Sequence, residues 1–418
     1  MRRVIQLLAV FLLLSAVYPV AAASAERGDY LTLKVAVMGP GDAVYFWWGH
    51  IALVVEDALT GETRFFDYGL FSFEAEDFYR NFAFGRLYYY CGVSPAEPNY
   101  RGYRRTNRDI TLYTLDLPAQ KKAEILRFVE NNTLPENSVY NYHHFRDNCS
   151  TRIRDIIDMA TDGAFRAAFG GAPGRFTLRG HVRRHTYFNP FFDWFLNFLM
   201  GQGIDTPITV WEELFLPGEV GDRIRDFSWR GADGAERRLV SRVEAVNRAE
   251  GRPPVLAVPR RQWPRELVFG LFLAAAVLFV RFLGRFYPVF TRVFLGVFQA
   301  LWGLFFGAAG TVLFFMTFFT NHDYTWHNIN VIFINPLLFA AVPAGIISAS
   351  GKSSRGAARV LTLLWSGVFL GGSLTLILRF FPPFYQQNQV TLAMTLPVAL
   401  VFCAGPAARL FARGGKKP

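Results

Sequence analysis

The last third of this chain contains five apolar segments, each long enough to cross a lipid bilayer as a helix. They are residues 267–283, 293–319, 329–348, 360–378 and 390–410. The hydrocarbon core of a bilayer is about 30 Å thick, and a helix rises about 1.5 Å per residue. Because hydrocarbon cannot satisfy exposed backbone polar groups, these segments predict an all-α polytopic membrane domain of about five helices over residues 261–418.

The first 25 residues have the pattern of a secretory signal peptide. Arg2 and Arg3 precede an apolar run that extends to about Val20, and small residues follow from Ala21 to Ala25. A basic start, an apolar centre and an A-x-A-like end are the three parts of such a signal. An uncleaved anchor is the alternative, and it gives the same topology. Either way, residues 26–260 are predicted to form an exported domain.

The distribution of basic residues fixes the orientation of the membrane domain. The chain has 44 Lys and Arg against 33 Asp and Glu. With residues 26–260 outside, the basic loop residues fall inside, as the positive-inside rule requires: Arg281, Arg285, Arg292, Lys352, Arg355, Arg359, Arg409, Arg413, Lys416 and Lys417. The basic excess therefore reflects topology, and no aromatic-interleaved basic groove indicates nucleic-acid binding. Arg260, Arg261 and Arg265 lie outside and depart from the pattern.

The stretch "FRDNCSTRIRDIID" places a cysteine at the predicted start of a helix. Apolar residues recur with helical spacing on one face: Cys149, Ile153, Ile156, Ile157 and Ala160. Asp147 or Asn148 suits the N-cap, and Asp162-Gly163 suits the end of the helix. A sulfur in the first turn meets unpaired N–H groups and the positive end of the helix dipole, which favour a thiolate. The pattern predicts that Cys149 is a nucleophile.

Two other interpretations of Cys149 stay open at this level. A lone helical cysteine is commonly a small core residue. In an oxidising compartment Cys149 also has one possible disulfide partner, Cys91, because Cys403 lies in the fifth apolar segment.

The stretch "WWGHIALVVEDALTGETRFFDYG" predicts a β-hairpin that brings a base and a carboxylate together. A turn centred between Leu59 and Thr60 pairs Ala52 with Asp67 and places Asp67 diagonally beside His50 on one face. A carboxylate there would fix the imidazole tautomer and stabilise the imidazolium. A register shifted by one residue would leave Glu56 or Tyr68 as the third group, and His143 or His144 could replace His50 as base.

The motifs "WWGHIALVV", "FFDYG", "NYHHFRDNCSTRIRDIID" and "WEELFLP", followed by membrane spans, resemble a known bacterial family. Its N-terminal periplasmic domain is named for the lipoprotein N-acyltransferase Lnb. The resemblance implies an α+β exported domain with a circularly permuted papain-like (NlpC-like) fold. It also implies that Cys149 is the nucleophile, His50 the base and Asp67 the orienting residue. Asn148 and Ser150 would shape an oxyanion pocket, and the motif residues Trp48 and Tyr68 would flank the substrate.

The resemblance further implies a function in the bacterial inner membrane. The expected enzyme moves an acyl chain from a phospholipid, through a Cys149 thioester, to the N-terminal cysteine of a lipoprotein, without a cofactor or a metal. One alternative is a periplasmic cysteine hydrolase, either a cell-wall peptidase or a lipase. Another is a non-enzymatic membrane assembly or sensor module with a Cys91–Cys149 disulfide.

The outer loop "TNHDYTWHNIN" concentrates polar side chains at a membrane boundary, where they are costly if they face lipid. We expect His322, Asn328 and Asn330 to help hold a headgroup or the acceptor. The alternatives are that they cap helices or contact the exported domain.

Two further stretches have competing interpretations. "HVRRH" holds His181 and His185 four residues apart but lacks the glutamate of a metalloprotease motif, so a basic, solvated helix face is expected. Residues 186–205 are too short for a sixth span. They either pack in a core or form an aromatic surface that lies against the bilayer and admits an acyl chain.

Overall fold

The computed structural model describes residues 26–231, 234–352 and 354–414, with side chains described as far as residue 404. The predicted signal peptide, residues 1–25, lies outside the described residues. The described chain forms an α+β domain followed by a helical membrane domain, which confirms the predicted fold class at this level.

A seven-stranded antiparallel sheet forms the centre of the exported domain, in the order β6-β4-β3-β2-β1-β5-β9. A two-stranded ribbon pairs β7 with β8. The strands are β1 (Leu31–Met38), β2 (His50–Asp57), β3 (Glu62–Leu70), β4 (Tyr88–Pro95), β5 (Ile110–Leu115), β6 (Val139–Asn141), β7 (Ser228–Arg230), β8 (Glu236–Arg238) and β9 (Val240–Asn247). The β2–β3 hairpin pairs Ala52 with Asp67, as predicted.

Ten helices of the described chain precede the membrane domain, most of them short. They are α1 (Phe78–Ala83), α2 (Ala96–Arg105), α3 (Ala119–Asn132), α4 (Pro135–Ser138), α5 (Cys149–Ala160), α6 (Ala164–Phe169), α7 (Leu178–Thr186), α8 (Pro190–Leu199), α9 (Val210–Glu213) and α10 (Pro217–Arg225).

The two faces of the sheet are covered differently, because successive strand residues point to opposite sides. The larger core joins Ile51, Leu53 and Val55 of β2 to helices α3, α5 and α10. The smaller core joins Ala52 and Val54 to helix α2 on the other face. The predicted apolar stripe of α5 is buried in the larger core.

The membrane domain contains four segments of the described chain that are long and apolar enough to span a bilayer. These are α11 (Trp263–Leu283), α12 (Pro288–Phe319), residues Ile329–Ser350, and α14 (Arg355–Leu378). A fifth apolar helix, α15 (Gln389–Gly414), has a shorter apolar part, Gln389–Ala404.

The third span differs from the continuous helix that the sequence predicts. It starts with two 3-10 turns, Ile329–Ile332 and Pro336–Ala340, and becomes α-helical only at α13 (Ala341–Ser350). Asn335 caps the second turn, and Pro336 follows it at the first helical position. A proline lacks the backbone N–H needed within an α-helix, which accounts for the interruption.

The exported domain rests on the outer loops of the membrane domain. Helix α8 packs into the membrane core through Trp194, Phe198 and Leu199. At Gly201, the N–H donates to Tyr324 O at 2.8 Å, and a Cβ there would lie 1.9 Å from Trp326 O, so only glycine permits this approach. The stretch 186–205 therefore joins the two domains, which favours core packing over an exposed acyl-chain surface.

Candidate active site

Cys149 is the first residue of helix α5, and its surroundings are built by the helix cap. The Asn148 side chain accepts hydrogen bonds from the N–H groups of Ser150 at 2.8 Å and Thr151 at 3.0 Å. The Thr151 hydroxyl in turn accepts from the Asn148 N–H at 2.8 Å, which completes a capping box. Because the N–H groups of Ser150 and Thr151 are occupied by the cap, the N–H of Cys149 itself is the first-turn donor left for a substrate.

His50 and Asp67 form a hydrogen-bonded pair at the end of the sheet. The distance from His50 Nε2 to Asp67 Oδ1 is 2.5 Å. Gly49, just before His50, has φ +81°, and a Cβ there would lie 2.7 Å from Met38 O, so the Trp48-Gly49-His50 motif needs its glycine. The register shifted by one residue, with Glu56 or Tyr68 as the third group, is wrong.

The pKa of His50 is raised well above its usual value. Burial alone would lower it, but the charges of Asp67, Tyr103 and Cys149 act in the opposite direction, with Asp67 the largest of the three. His50 therefore favours the protonated form. A positive imidazolium is the natural counter-ion of a thiolate.

His50 and Cys149 approach each other from opposite faces of the sheet. The alternation along β2 puts His50 on the side of Ala52 and Val54, whereas Cys149 belongs to the larger core with Ile51. Cys149 lies close enough to His50 for its charge to raise the pKa of the imidazole, but no hydrogen bond joins the two side chains. Catalytic hydrogen bonds are often long without substrate and tighten when it binds.

Tyr103 and Arg108 also belong to this site, although no motif in the sequence indicates either residue. The rings of His50 and Tyr103 stack with centroids 6.5 Å apart. The buried Arg108 guanidinium lies 4.7 Å from the Tyr103 ring centroid, and its Nε donates to Gly39 O. Tyr103 and Arg108 reach the site because the fold of the sheet brings α2 and the loop before β5 beside His50.

The alternative bases His143 and His144 are both excluded by their surroundings. Both ring nitrogens of His143 are engaged, since Nε2 bonds Asp323 at 2.8 Å and Nδ1 accepts the N–H groups of Phe145 and Arg146. Burial lowers the pKa of His144 to about 3, so this residue stays neutral. His50 is the remaining candidate of the three.

The predicted alternative of a Cys91–Cys149 disulfide is wrong, because all three cysteines are free thiols. Cys91 is buried, and burial raises the pKa of its thiol to about 11. A thiol with such a pKa stays protonated at neutral pH. Cys91 therefore has the character of a core residue.

The four residues predicted to line the pocket, Asn148, Ser150, Trp48 and Tyr68, are buried or engaged in packing and hydrogen bonds within the protein. The Asn148 amide donates to His144 O and Phe215 O, so its side chain is fully used as a cap and is not free to bind an oxyanion. Ser150 is fully buried behind Cys149. Trp48 packs on the apolar cluster around Phe145, and Tyr68 is buried in the larger core.

The outer-loop residues His322, Asn328 and Asn330 lie where the membrane domain contacts the exported domain. His322 Nε2 bonds Phe82 O at 2.9 Å, and Asn328 and Asn330 both donate to Phe198 O. Their remaining polar atoms bond to side chains of the membrane domain, namely Tyr324, Gln386 and Asn388. The alternative that this loop contacts the exported domain is therefore the right one.

The "HVRRH" stretch is also not the solvated face that its composition predicts. His181 is fully buried and bonds Glu213 at 2.9 Å, while Arg184 pairs with Glu219 at 2.9 Å. The sequence around His181 does not indicate this burial, because the acidic partners Glu213 and Glu219 come from α9 and α10, about 30 residues further along the chain.

Together these features define a polytopic membrane protein whose α+β exported domain holds a cysteine, a histidine and an aspartate at one end of its sheet. Comparison with protein families matches residues 23–182 to the Lnb N-terminal periplasmic domain and residues 263–405 to the Lnb transmembrane domain. The two matches cover more than two thirds of the chain, which therefore belongs to the Lnb family. Searches of curated proteins and of solved structures returned no match.

Proposed function

We propose that this protein is a cysteine-dependent acyltransferase of the bacterial inner membrane, with a permuted papain-like catalytic domain. The substrates proposed are a phospholipid as acyl donor and the N-terminal amine of a lipoprotein as acceptor. The single observation that supports it most is the convergence of Cys149, at a capped helix start, with the His50–Asp67 pair. Family membership supports an enzyme of lipoprotein maturation.

In the first half-reaction the Cys149 thiolate attacks the ester carbonyl of the donor. The new C–S bond forms as the ester C–O bond breaks, and His50 gives its proton to the leaving alkoxide. The N–H of Cys149 lies where it can donate to the oxyanion of the tetrahedral intermediate. Asp67 keeps the imidazole oriented and stabilises its charge.

In the second half-reaction the acceptor amine attacks the thioester. A C–N bond forms, the C–S bond breaks, and the amine proton passes to His50, which restores the imidazolium. The segment just before Cys149 contacts the outer loop of the membrane domain, since the ring centroids of Phe145 and Tyr324 lie 5.7 Å apart. This contact supports a lipid-anchored substrate. Exclusion of water at such a junction would favour transfer over hydrolysis.

The test is acyl trapping on the full chain in nanodiscs that contain a phospholipid with a labelled acyl chain. The wild type is expected to form a hydroxylamine-sensitive adduct, and Cys149→Ala is expected to form none. Cys91→Ala is the matched control, because Cys91 lies in the same core but has a protonated thiol. Adduct that persists in Cys149→Ala would disprove the proposal, and release of the acyl group to water alone in the presence of acceptor peptide would favour a hydrolase.

A further inference from the structure

A basic cavity lies beside helix α7, next to the first residues of α11 and α15. A cavity of about 480 Å³ adjoins one of about 280 Å³, and both are lined by Arg183, Arg261 and Gln387. Arg260 and Arg175 line the larger one. Arg260 and Arg261 are two of the outer basic residues that depart from the positive-inside pattern.

Arg183 brings a positive charge to this cavity without a carboxylate partner of its own. Its guanidinium donates to the side chain and backbone oxygens of Gln387 at 3.1 and 3.2 Å, and both acceptors are neutral. The nearby carboxylate of Asp205 is already paired with Arg179 at 2.8 Å. Burial, together with the charge of Arg179, lowers the pKa of Arg183 to about 10, so it remains a cation at neutral pH.

The other arginines of the cavity differ in how far they are neutralised. Arg175 is paired with Glu219. Arg260 lies over the Tyr187 ring at 5.5 Å, and neither Arg260 nor Arg261 forms an ion pair with a residue in the described part of the chain. The cavity therefore has an excess of positive charge, although the carboxylates of Asp193 and Asp205 lie close enough to act on Arg183.

The depth of the cavity matches the headgroup layer of the outer leaflet. Trp263 and Gln389, which line the smaller part, are the first residues of α11 and α15. Trp263 is 43% exposed, as expected of an indole in the aromatic belt at the membrane surface. Arginine at this depth is well suited to phosphate, since its planar donors match phosphate oxygens.

We propose that this cavity binds the phosphate group of a phospholipid from the outer leaflet. Its volume suits a headgroup, and Gln387 and Gln389 add neutral polar groups beside the arginines. Helix α7 contacts both regions, because Arg183 lines the cavity while Val182 packs in one cluster with Phe145, four residues before Cys149. That this lipid is the acyl donor rests on the proposed function, whereas its binding does not.

The experiment measures phospholipid binding to the full chain by native mass spectrometry after titration with a short-chain phosphatidylglycerol. The double variant Arg183→Gln/Arg261→Gln is expected to bind at least about tenfold more weakly than the wild type, because charge-assisted hydrogen bonds to phosphate are lost. Arg248→Gln is the matched control, since Arg248 is exposed in the exported domain away from the cavity. Equal affinity of the double variant and the wild type would overturn the proposal.

Two further arms separate the possible outcomes. Inorganic phosphate should compete only weakly with the lipid, and binding of inorganic phosphate as tight as that of the lipid would show a free-anion site instead. The titration is repeated in Cys149→Ala, where unchanged lipid binding is expected. Loss of binding in the double variant together with absence of acyl transfer in wild type would then disprove the proposed function but leave the lipid site intact.

Discussion

Two histidine–aspartate pairs of the described chain, His50–Asp67 and His143–Asp323, differ in what their surroundings allow. His50 and Asp67 are 17 residues apart in one hairpin, with a 2.5 Å hydrogen bond. His143 and Asp323 are 180 residues apart and join the exported domain to the membrane domain, at 2.8 Å. The two pairs are chemically alike, so the difference between them must come from their remaining contacts.

The second ring nitrogen of the histidine distinguishes the two pairs. His143 Nδ1 accepts two backbone N–H groups, and Asp323 also pairs with Arg146 at 3.2 Å. In the described chain, His50 Nδ1 has no hydrogen-bond partner, while the charge of Cys149 acts on its ring. A histidine with a free nitrogen can exchange protons with a substrate, whereas one with both nitrogens engaged acts as a connector.

The largest expected effect is the loss of activity on removal of the His50 imidazole, compared with removal of the His143 imidazole. His50→Ala should reduce the rate of adduct formation by a factor on the order of 100 or more, the usual contribution of general acid–base catalysis. His143→Ala should change that rate less than about threefold, measured at a temperature where the variant is folded. The assay is the acyl-trapping time course with the labelled phospholipid. Equal losses in both variants would contradict the assignment of the two pairs.

Asp67→Asn should have the next largest effect and should also move the pH profile. Without the carboxylate, burial dominates and the pKa of His50 falls. The high-pH limb of adduct formation, where His50 loses its proton, is then expected to move to lower pH. The rate at its optimum should also drop, because the imidazole loses the group that orients it. A lower rate with an unmoved limb would mean that another group supplies the proton.

The sequence predicts the His50–Asp67 pair better than the His143–Asp323 pair, because the first pair depends on local periodicity. The alternation of β2 and β3 around the turn at Leu59 suffices to place Asp67 beside His50. Helix periodicity in the same way places Cys149 at the start of a buried stripe. Both patterns operate within about 20 residues.

Contacts between segments that are distant in the chain cannot be predicted from local sequence patterns. Nothing near His143 indicates that its partner is Asp323, and nothing near His181 indicates Glu213. The sequence also gives no indication of the partners of Asn328 and Asn330, because these acceptors are backbone carbonyls of α8. The opposite faces of His50 and Cys149 likewise follow from which helices cover the sheet.

The smallest expected effect is on stability, through Asp323→Asn at the junction. His143 is the main cause that lowers the pKa of Asp323, so this carboxylate stabilises the folded protein in its charged form. With a side chain 27% exposed, its hydrogen bonds should contribute about 1 kcal/mol. The variant should therefore show a slightly lower apparent Tm in detergent and faster proteolysis of the linker at 248–262.

The pH dependence gives this last prediction its sign. A lowered carboxyl pKa contributes stability above the unfolded value of 3.8, and the contribution is lost as pH falls through the folded value. The difference in Tm between wild type and Asp323→Asn should thus shrink as the pH falls below 3.8. Asp77→Asn is the control, because its ion pair with Arg80 is exposed. If Asp323→Asn instead lowered adduct formation as strongly as Asp67→Asn while leaving Tm unchanged, the junction pair would be part of the chemistry.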